Sequence, residues 1–309
     1  MRQLRERFLA EVGKAVVGQQ EAAEHILVAT VVGGHVLLEG VPGVAKTLLA
    51  NAAARAMSLD FRRVQFTPDM LPSDLTGTIT LRGGELAFRP GPVFANVVLA
   101  DEINRTPPKT QAALLEAMQE GHVTVDGITH PLPEPFLVVA TQNPIEYEGT
   151  YPLPEAQLDR FLVKVEVGYP SEEDERAMLS RPRRGVAPLG LDDIVEVLEP
   201  AVIAEARRLV DTTTASAEIE QYVSAIVRRT RDAPGVALGA SPRAAVHLLA
   251  ASRARARLDD RDFVSPDDVA TAAYPVLRHR LILRTEAEIE RYRPDDVIRA
   301  VLAEVPVPR

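Results

Sequence analysis

Residues that can bind phosphate cluster in one short loop of this sequence. The loop follows the apolar run 35–38 and reads Gly40-Val41-Pro42-Gly43-Val44-Ala45-Lys46-Thr47-Leu48. Glycines let backbone N–H groups turn inward around phosphate oxygens, and the N-terminus of the following helix adds partial positive charge. In such a loop Lys46 would reach the β- and γ-phosphates of a nucleotide, and Thr47 would bind Mg²⁺. The sequence therefore predicts a phosphate-binding loop (P-loop) between a strand and a helix.

One position of the P-loop departs from the strict pattern. Ala45 stands where a glycine is expected directly before the lysine. Alanine adds little bulk, but it tolerates a positive φ less well than glycine does. From this loop alone, an ordinary strand–turn–helix junction remains the alternative.

Two acidic residues follow a second apolar run. The run 97–100 is typical of a buried parallel strand, and it ends in Asp101 and Glu102. Because α/β sheets bind ligands at the carboxyl ends of their strands, we expect Asp101 to bind Mg²⁺. Glu102 is the candidate general base that polarises the attacking water. Two solvated acids at a strand end are the alternative.

Two further polar residues have positions that suit a nucleotide site. Asn143 follows the apolar run 136–141, where its amide can orient water or contact the γ-phosphate; a turn-forming asparagine is the alternative. Arg243 lies in the first turn of a predicted helix, after Ser241 at the N-cap and Pro242. A cation is mildly unfavourable there, so we expect Arg243 to share a nucleotide phosphate with the helix end. A surface arginine is the alternative.

A short break precedes the P-loop strand. The break includes Val17 and Gly18, and it separates a helix predicted over residues 3–15 from a second one over 20–31. Its position suits Val17 and Gly18 as a lip over the adenine of a nucleotide. A simple turn between two helices is the alternative.

The elements that must position these residues form an α/β core. Apolar runs alternate with helical patterns as far as Val167, which is typical of a parallel sheet flanked by helices. Two hairpin signals interrupt this order, at about 76–90 around Gly83-Gly84 and at 122–130 around Asp126-Gly127. Both hairpins are predicted to be insertions into the core.

The composition changes after Val167. Residues 181–192 have the pattern of a linker, and everything beyond them is helical, at about 200–212, 216–232, 242–257, 266–277 and 294–304. We therefore expect an α/β core over residues 1–180 and a linker with an all-α domain over residues 181–309.

Composition excludes several classes of protein. The 309 residues contain no cysteine, so disulfides and thiolate metal sites are excluded, which fits the cytoplasm. No apolar run approaches the roughly 18 residues of a membrane span, and the charged N-terminus lacks an apolar signal core. A net charge of −9 argues against a general nucleic-acid binder, although a local basic pore stays open.

Taken in order, these motifs resemble the MoxR family of AAA+ ATPases. The resemblance covers nearly the whole chain, and the P-loop with alanine before the lysine is one of its features. The ordered series is specific to the family, whereas a P-loop alone is not. The other matching segments are Val17-Gly18-Gln19, 65–74, 94–105, 140–144, 155–161 and Ser241-Pro242-Arg243.

The resemblance implies roles for the matched positions. Lys46 and Thr47 would form Walker A, and Asp101 and Glu102 would form Walker B. Asn143 matches sensor 1, Arg243 matches sensor 2, and Arg160 matches the arginine finger that acts on a neighbouring subunit's nucleotide. The implied cofactors are ATP and Mg²⁺, with ATP bound between the α/β core and a helical lid.

The resemblance also implies an assembly and partners. A homo-oligomer is expected, as a hexameric ring whose two hairpins face a pore or a partner. The expected activity is chaperone-like remodelling of client proteins, including partners with von Willebrand factor A domains.

Three other functions compete with this interpretation. A nucleic-acid motor is disfavoured because the hairpin at 122–130 has no Lys or Arg to bind phosphates. A metal-chelatase motor subunit is a second alternative. A scaffold that binds ATP without useful turnover is the third, and the intact Glu102 and Arg160 argue against it.

Overall fold

The computed structural model of the protein describes residues 1–144, 149–181, 183–184, 187–188 and 190–308. The helices are α1 (Arg2–Ala15), α2 (Gln20–Val32), α3 (Lys46–Ala56), α4 (Pro72–Thr76), α5 (Pro108–Glu120), α6 (Glu155–Leu158), α7 (Glu172–Ser180), α8 (Pro200–Asp211), α9 (Ala217–Arg231), α10 (Pro242–Leu258), α11 (Pro266–Leu277), α12 (Thr285–Ile289) and α13 (Pro294–Glu304). The strands are β1 (Val36–Glu39), β2 (Phe61–Gln65), β3 (Gly77–Arg82), β4 (Glu85–Pro90), β5 (Val97–Asp101), β6 (His122–Val125), β7 (Ile128–Pro131), β8 (Leu137–Gln142), β9 (Val163–Glu166), β10 (Arg183–Arg184), β11 (Ala187–Pro188), β12 (Val236–Leu238) and β13 (Ile282–Leu283). The linker predicted over 181–192 lies partly outside the described residues.

A five-stranded parallel sheet forms the centre of the N-terminal part. Its strand order is β2-β5-β8-β1-β9, and every neighbouring pair is parallel. Every residue of β5 is buried, because helices cover both faces of such a sheet and its strands are therefore continuously apolar. The predicted parallel sheet flanked by helices is confirmed. All carboxyl ends lie at one edge of the sheet, which we call the carboxyl edge, and all amino ends lie at the opposite, amino edge.

Helix α2 is enclosed between the sheet and the C-terminal helices. It contacts β1, β8 and β9 as well as α8 and α10. A helix that is apolar on all sides belongs in an interior. One continuous apolar core therefore joins the sheet to the C-terminal helices. The buried residues of α2 are Ala22, Ala23, His25, Ile26, Leu27, Val28, Ala29, Thr30 and Val31.

The C-terminal part is helical, as predicted, and it also contains short elements that the sequence did not predict. Its helices α8, α9, α10, α11 and α13 begin and end within about two residues of the predicted positions. These include the helix α12 and an antiparallel pair of strands. In that pair, β12 with β13 joins Val236 to Leu283. These strands are too short for alternation to appear in the sequence. The division between the two parts at residue 180 stays a prediction.

Two antiparallel hairpins project from the core. β3 pairs with β4, and β6 pairs with β7, at the positions of the two predicted insertions. The turn of the second hairpin has positive φ at Asp126 and Gly127, as this dipeptide predicts. The hairpins pack against each other, because the ring of Phe88 stacks on that of His130 with centroids 3.9 Å apart. None of the helices in the described part of the chain has the length and apolar character needed to cross a membrane.

The enclosure of α2 predicts that Leu27→Ala destabilises the protein. Leu27 is 0% exposed, and truncation of a buried leucine costs about 2–5 kcal/mol because transfer energy is lost and a cavity remains. Leu179→Ala is the matched control, since Leu179 is 78% exposed. Urea denaturation measures the free energy of unfolding of both variants. Equal losses in the two variants would contradict the enclosed position of α2.

Candidate nucleotide-binding site

The P-loop connects the carboxyl end of β1 to the first residue of α3. Gly43 and Ala45 have left-handed backbone conformations, with φ of 86° and 63°. Gly40 lies against the end of β9, where an added Cβ would be 2.2 Å from the carbonyl oxygen of Val167. Only glycine fits that approach. The loop thus turns sharply at the carboxyl edge and directs the N-terminus of α3 towards it, as a phosphate site requires.

Lys46 lies across the carboxyl edge between two neighbouring strands. Its side chain is nearly buried, and Nζ donates hydrogen bonds to the carbonyl oxygens of Gly40 and of Gln142, the latter at 3.2 Å. Gln142 ends β8, and the buried Asn143 follows it. The structure therefore brings the Lys46 ammonium to the strand end that carries Asn143.

Thr47 and Asp101 meet at the same edge. The Thr47 hydroxyl donates to Oδ2 of Asp101 at 3.3 Å, and the Thr141 hydroxyl donates to Oδ1 at 2.6 Å. Mg²⁺ prefers oxygen ligands, and in nucleotide sites it is held by one or two carboxylates together with phosphates. A hydroxyl and a carboxylate in contact fit that ion. Within the described residues no cluster of three or more His, Cys, Asp or Glu forms another metal site.

Glu102 projects from a strained backbone position directly after β5. Its φ is 58°, and its N–H donates to the Thr141 hydroxyl at 2.9 Å. The carboxylate accepts a hydrogen bond from Nε2 of Gln65 at 2.7 Å and lies 2.9 Å from Nε of Arg105. It remains 29% exposed, so water can reach it. A held, accessible carboxylate at this edge suits a general base.

Arg63 and Gln65 contact the two acids, although no role was predicted for either residue from the sequence. Arg63 donates to Oδ2 of Asp101 from Nε at 3.0 Å and from Nη2 at 2.7 Å. Gln65 accepts from Arg63 and donates to Glu102. The signal in the sequence is a pair of polar residues at alternate positions of β2. This pair indicates a contact with Asp101 and Glu102 only once β2 is known to lie beside β5, and the sequence does not reveal the strand order.

An apolar cavity of about 190 Å³ lies beside the P-loop. Val17 borders it, and Gly18 packs so closely on α7 that an added Cβ would lie 2.9 Å from Oδ2 of Asp174. Its size and apolar lining suit the base of a nucleotide. The residues that line it are Ala15, Val16, Val17, Gln19, Gly43, Val44, Ala45, Leu48, Pro170, Met178 and Arg181.

The C-terminal helices do not line this cavity, although the resemblance places ATP between the core and the helical lid. The wall opposite the P-loop is formed by Pro170, Met178 and Arg181. Arg181 is fixed there because its guanidinium donates to the carbonyl oxygens of Gly13 and Lys14 at the end of α1.

Arg160 and Arg243 lie together at the amino edge, far from Lys46. Both line a second cavity of about 230 Å³, together with Gly33 and His35 from the segment between α2 and β1. At ~3.3 Å per residue, the four residues of β1 separate the two edges by about 13 Å. The structure thus brings Arg243 to Arg160 and not to the P-loop. The physical reason is that Ser241, at the N-cap of α10, bonds to Asp159 beside Arg160.

His35 forms a buried wall of this second cavity. Burial lowers the pKa of His35 to about 4, so the ring is neutral at physiological pH. Its Nδ1 accepts a hydrogen bond from the Val138 N–H at 3.0 Å, and Nε2 donates to the Met118 carbonyl oxygen at 3.0 Å. His35 therefore has a structural role between β1, β8 and α5.

Comparisons with known proteins identify the family of this chain. Residues 35–163 match the family described as "ATPase family associated with various cellular activities (AAA)", and residues 228–301 match the AAA lid domain. The chain is 47% identical to protein YeaC of Bacillus subtilis over 308 residues, covering 98% of this chain and 94% of YeaC. It is 46% identical to Chaperone MoxR1 of Mycobacterium tuberculosis over 315 residues, covering 98% and 82% of the two chains.

A solved structure shares the whole fold. The crystal structure of a protein from Cytophaga hutchinsonii superimposes with a TM-score of 0.91 at 43% sequence identity, and the match covers 100% of this chain and 96% of the other. Similarity at this level over full length, with both the ATPase and the lid regions matched, shows that the chain belongs to the MoxR family of AAA ATPases and hydrolyses ATP.

Proposed function

We propose that this ATPase binds ATP with Mg²⁺ at the carboxyl edge. Lys46 and the P-loop N–H groups bind the phosphates, and the base lies in the apolar cavity beside Val17 and Gly18. Thr47 and Asp101 would hold Mg²⁺, which when bound neutralises charge on the phosphates. The contact of the Thr47 hydroxyl with Asp101 supports this assignment.

Glu102 and Asn143 carry out the chemistry on the attacking water. Glu102 accepts the proton as water attacks the γ-phosphate, and Asn143 orients that water. Gln65 and Arg105 hold the Glu102 carboxylate in place, which limits its rotation. A fixed base needs less reorganisation during the reaction.

We infer an oligomeric assembly from the separation of Arg160 and Arg243 from the P-loop. Arg160 and Arg243 line one cavity at the amino edge, whereas Lys46 lies at the carboxyl edge. One subunit cannot direct both groups at one nucleotide. We infer that Arg160 and Arg243 act on the nucleotide of a neighbouring subunit, where positive charge stabilises the transition state. Such head-to-tail contacts form a ring where the rotation between subunits closes, and we propose a hexamer.

The ring would work as a chaperone-like machine on client proteins in the cytoplasm. The relative MoxR1 is named a chaperone. The two packed hairpins expose Leu81, Leu86 and Ile128, apolar side chains that can contact a protein client. Clients with von Willebrand factor A domains are the proposed partners. A nucleic-acid motor or a chelatase motor subunit is less favoured, since the hairpin from His122 to Pro131 contains no Lys or Arg.

Lys46→Ala is expected to abolish ATP hydrolysis and weaken ATP binding. The substitution removes the ammonium that contacts the β- and γ-phosphates while leaving the loop backbone unchanged. Lys109→Ala is the control, because Lys109 lies in the first turn of α5 and outside the site. Phosphate release and fluorescent-ATP binding measure the two effects. Unchanged turnover in Lys46→Ala would disprove the proposed site.

Glu102→Gln is expected to retain ATP and lose turnover by about 10²–10⁴-fold, the usual contribution of a general base. The amide keeps the size of the side chain and its contact to Gln65 but cannot accept the proton. Single-turnover assays with stoichiometric ATP separate binding from chemistry. Normal hydrolysis by this variant would show that another group is the base.

Arg160→Ala and Arg243→Ala are each expected to bind ATP but lose turnover, by up to roughly 10³–10⁵-fold for an arginine finger. Mixing either variant with Lys46→Ala subunits should restore part of the activity, because the Lys46→Ala subunit supplies an intact arginine to its neighbour. Arg208→Ala, an exposed arginine on α8, is the control. Absence of any recovery on mixing would argue that these arginines act within their own subunit.

A further inference from the structure

A buried arginine from the C-terminal helices holds the loop that carries Arg160. Arg280 lies in the 3₁₀ turn after α11, and its side chain is 1% exposed. Its guanidinium donates hydrogen bonds to main-chain carbonyls on both sides of Arg160. These are the carbonyls of Asp159 at 3.1 Å, Phe161 at 2.5 Å and Leu162 at 3.3 Å. A planar group with five donors can fix several acceptors at once, which a lysine ammonium cannot do.

Asp159 connects the same loop to α10, which carries Arg243. Its Oδ1 accepts a hydrogen bond from Nε of Arg280 at 2.7 Å. The Ser241 hydroxyl contacts both oxygens, Oδ1 at 3.1 Å and Oδ2 at 3.0 Å, and also caps α10. Nη1 of Arg243 lies 4.0 Å from Oδ2. One carboxylate therefore joins the Arg160 loop, the start of α10 and the buried guanidinium.

His247 on α10 completes the contacts of Arg280 as a neutral acceptor. Burial, with the adjacent Arg280 charge, lowers the pKa of His247 to about 4. Burial also lowers the pKa of Arg280, to about 10, so Arg280 stays charged at physiological pH. Because Nδ1 of His247 lies 2.6 Å from Nη2 of Arg280, Nδ1 accepts the hydrogen bond and the ring proton is on Nε2.

We propose that Arg280 and Asp159 are positioning residues for ATP hydrolysis, which present Arg160 and Arg243 as one rigid unit to the nucleotide of the neighbouring subunit. This inference rests on the proposed function, in which the two arginines act in trans. Neither Arg280 nor Asp159 lines the cavity beside the P-loop. We therefore expect them to act on the nucleotide of the next subunit, through Arg160.

The arrangement has a mechanical consequence. Arg280 and Ser241 belong to the C-terminal helices, whereas Asp159 and Arg160 precede β9 of the sheet. A displacement of the C-terminal helices therefore moves the Arg160 loop with them. The positions of Arg160 and Arg243 relative to a nucleotide therefore depend on the position of the C-terminal helices in the adjacent subunit.

Arg280→Lys tests the proposal because lysine keeps the positive charge but lacks the planar guanidinium and its five N–H donors. We expect kcat to fall roughly 10- to 100-fold, since a displacement of about 1 Å can cost that much. The KM for ATP should stay within about 2-fold, because the P-loop is untouched. Arg278→Lys is the matched control: it lies in the same 3₁₀ turn and pairs with Asp295, remote from the Arg160 loop. The control should keep its kcat.

Mixing experiments distinguish positioning from general destabilisation. Arg280→Lys subunits mixed with Lys46→Ala subunits should regain activity, because the latter supply a correctly held Arg160 to the intact P-loop. A partner that carries both Lys46→Ala and Arg160→Ala should give no recovery. A merely structural role of Arg280 would leave its own subunit defective, and no partner would rescue it.

The outcomes separate this proposal from the proposed function. If Arg160→Ala is not rescued by Lys46→Ala subunits, the trans mechanism itself fails. If Arg160→Ala is rescued but Arg280→Lys is not, or if Arg280→Lys has normal kcat, only the positioning role is overturned. Asp159→Asn, which keeps the side-chain shape, goes through the same mixing scheme. Asp159→Asn tests the positioning role even if circular dichroism shows that Arg280→Lys folds poorly.

Discussion

The enclosure of α2 between the sheet and the C-terminal helices is the constraint on which the structure depends. Its apolar residues face β1 and β9 on one side and α8 and α10 on the other. At about 25 cal/mol per Å² of apolar surface, exposing such a helix is costly. The C-terminal helices α8 and α10 therefore pack against α2. Because α10 lies against α2, its N-terminus reaches the amino edge, and this determines where Arg243 lies.

The parallel sheet then divides the chemistry between two edges. Strands that all run in one direction bring Lys46, Asp101 and Asn143 to the carboxyl edge, while Arg160, which precedes β9, is left at the amino edge. In the proposed mechanism, the same parallel arrangement leaves the site of one subunit without Arg160 and Arg243. Oligomerisation is thus a geometric requirement of the proposed mechanism, because a second chain must supply the arginines. The acids already have positive neighbours within the subunit, Arg63 for Asp101 and Arg105 for Glu102.

The local features of this protein could be predicted from sequence, whereas contacts between distant segments could not. The P-loop, the buried strands and the long C-terminal helices follow from glycine positions, apolar runs and helix caps such as Ser241. Arg63 beside Asp101 depends on strand order, and Arg280 beside Asp159 depends on how α11 packs against β9. Neither arginine has a periodicity that marks it. The position of Arg243 relative to the P-loop could not be predicted from the motif Ser241-Pro242-Arg243 for the same reason. A helix cap specifies where a helix begins, but not which other segment that helix end contacts.

Two residues of the site adopt a conformation that is unfavourable for their type. Ala45 and Glu102 have φ of 63° and 58°, and a non-glycine residue in this region costs about 1 to 3 kcal/mol. At Glu102 the neighbours oppose this cost: Thr141 binds the backbone N–H and Gln65 holds the carboxylate. At Ala45 the left-handed turn starts α3 so that Lys46 enters the carboxyl edge. In both places strain in the backbone directs a reactive side chain at the same edge, and the enclosed α2 with its surrounding core supplies the stability that maintains it.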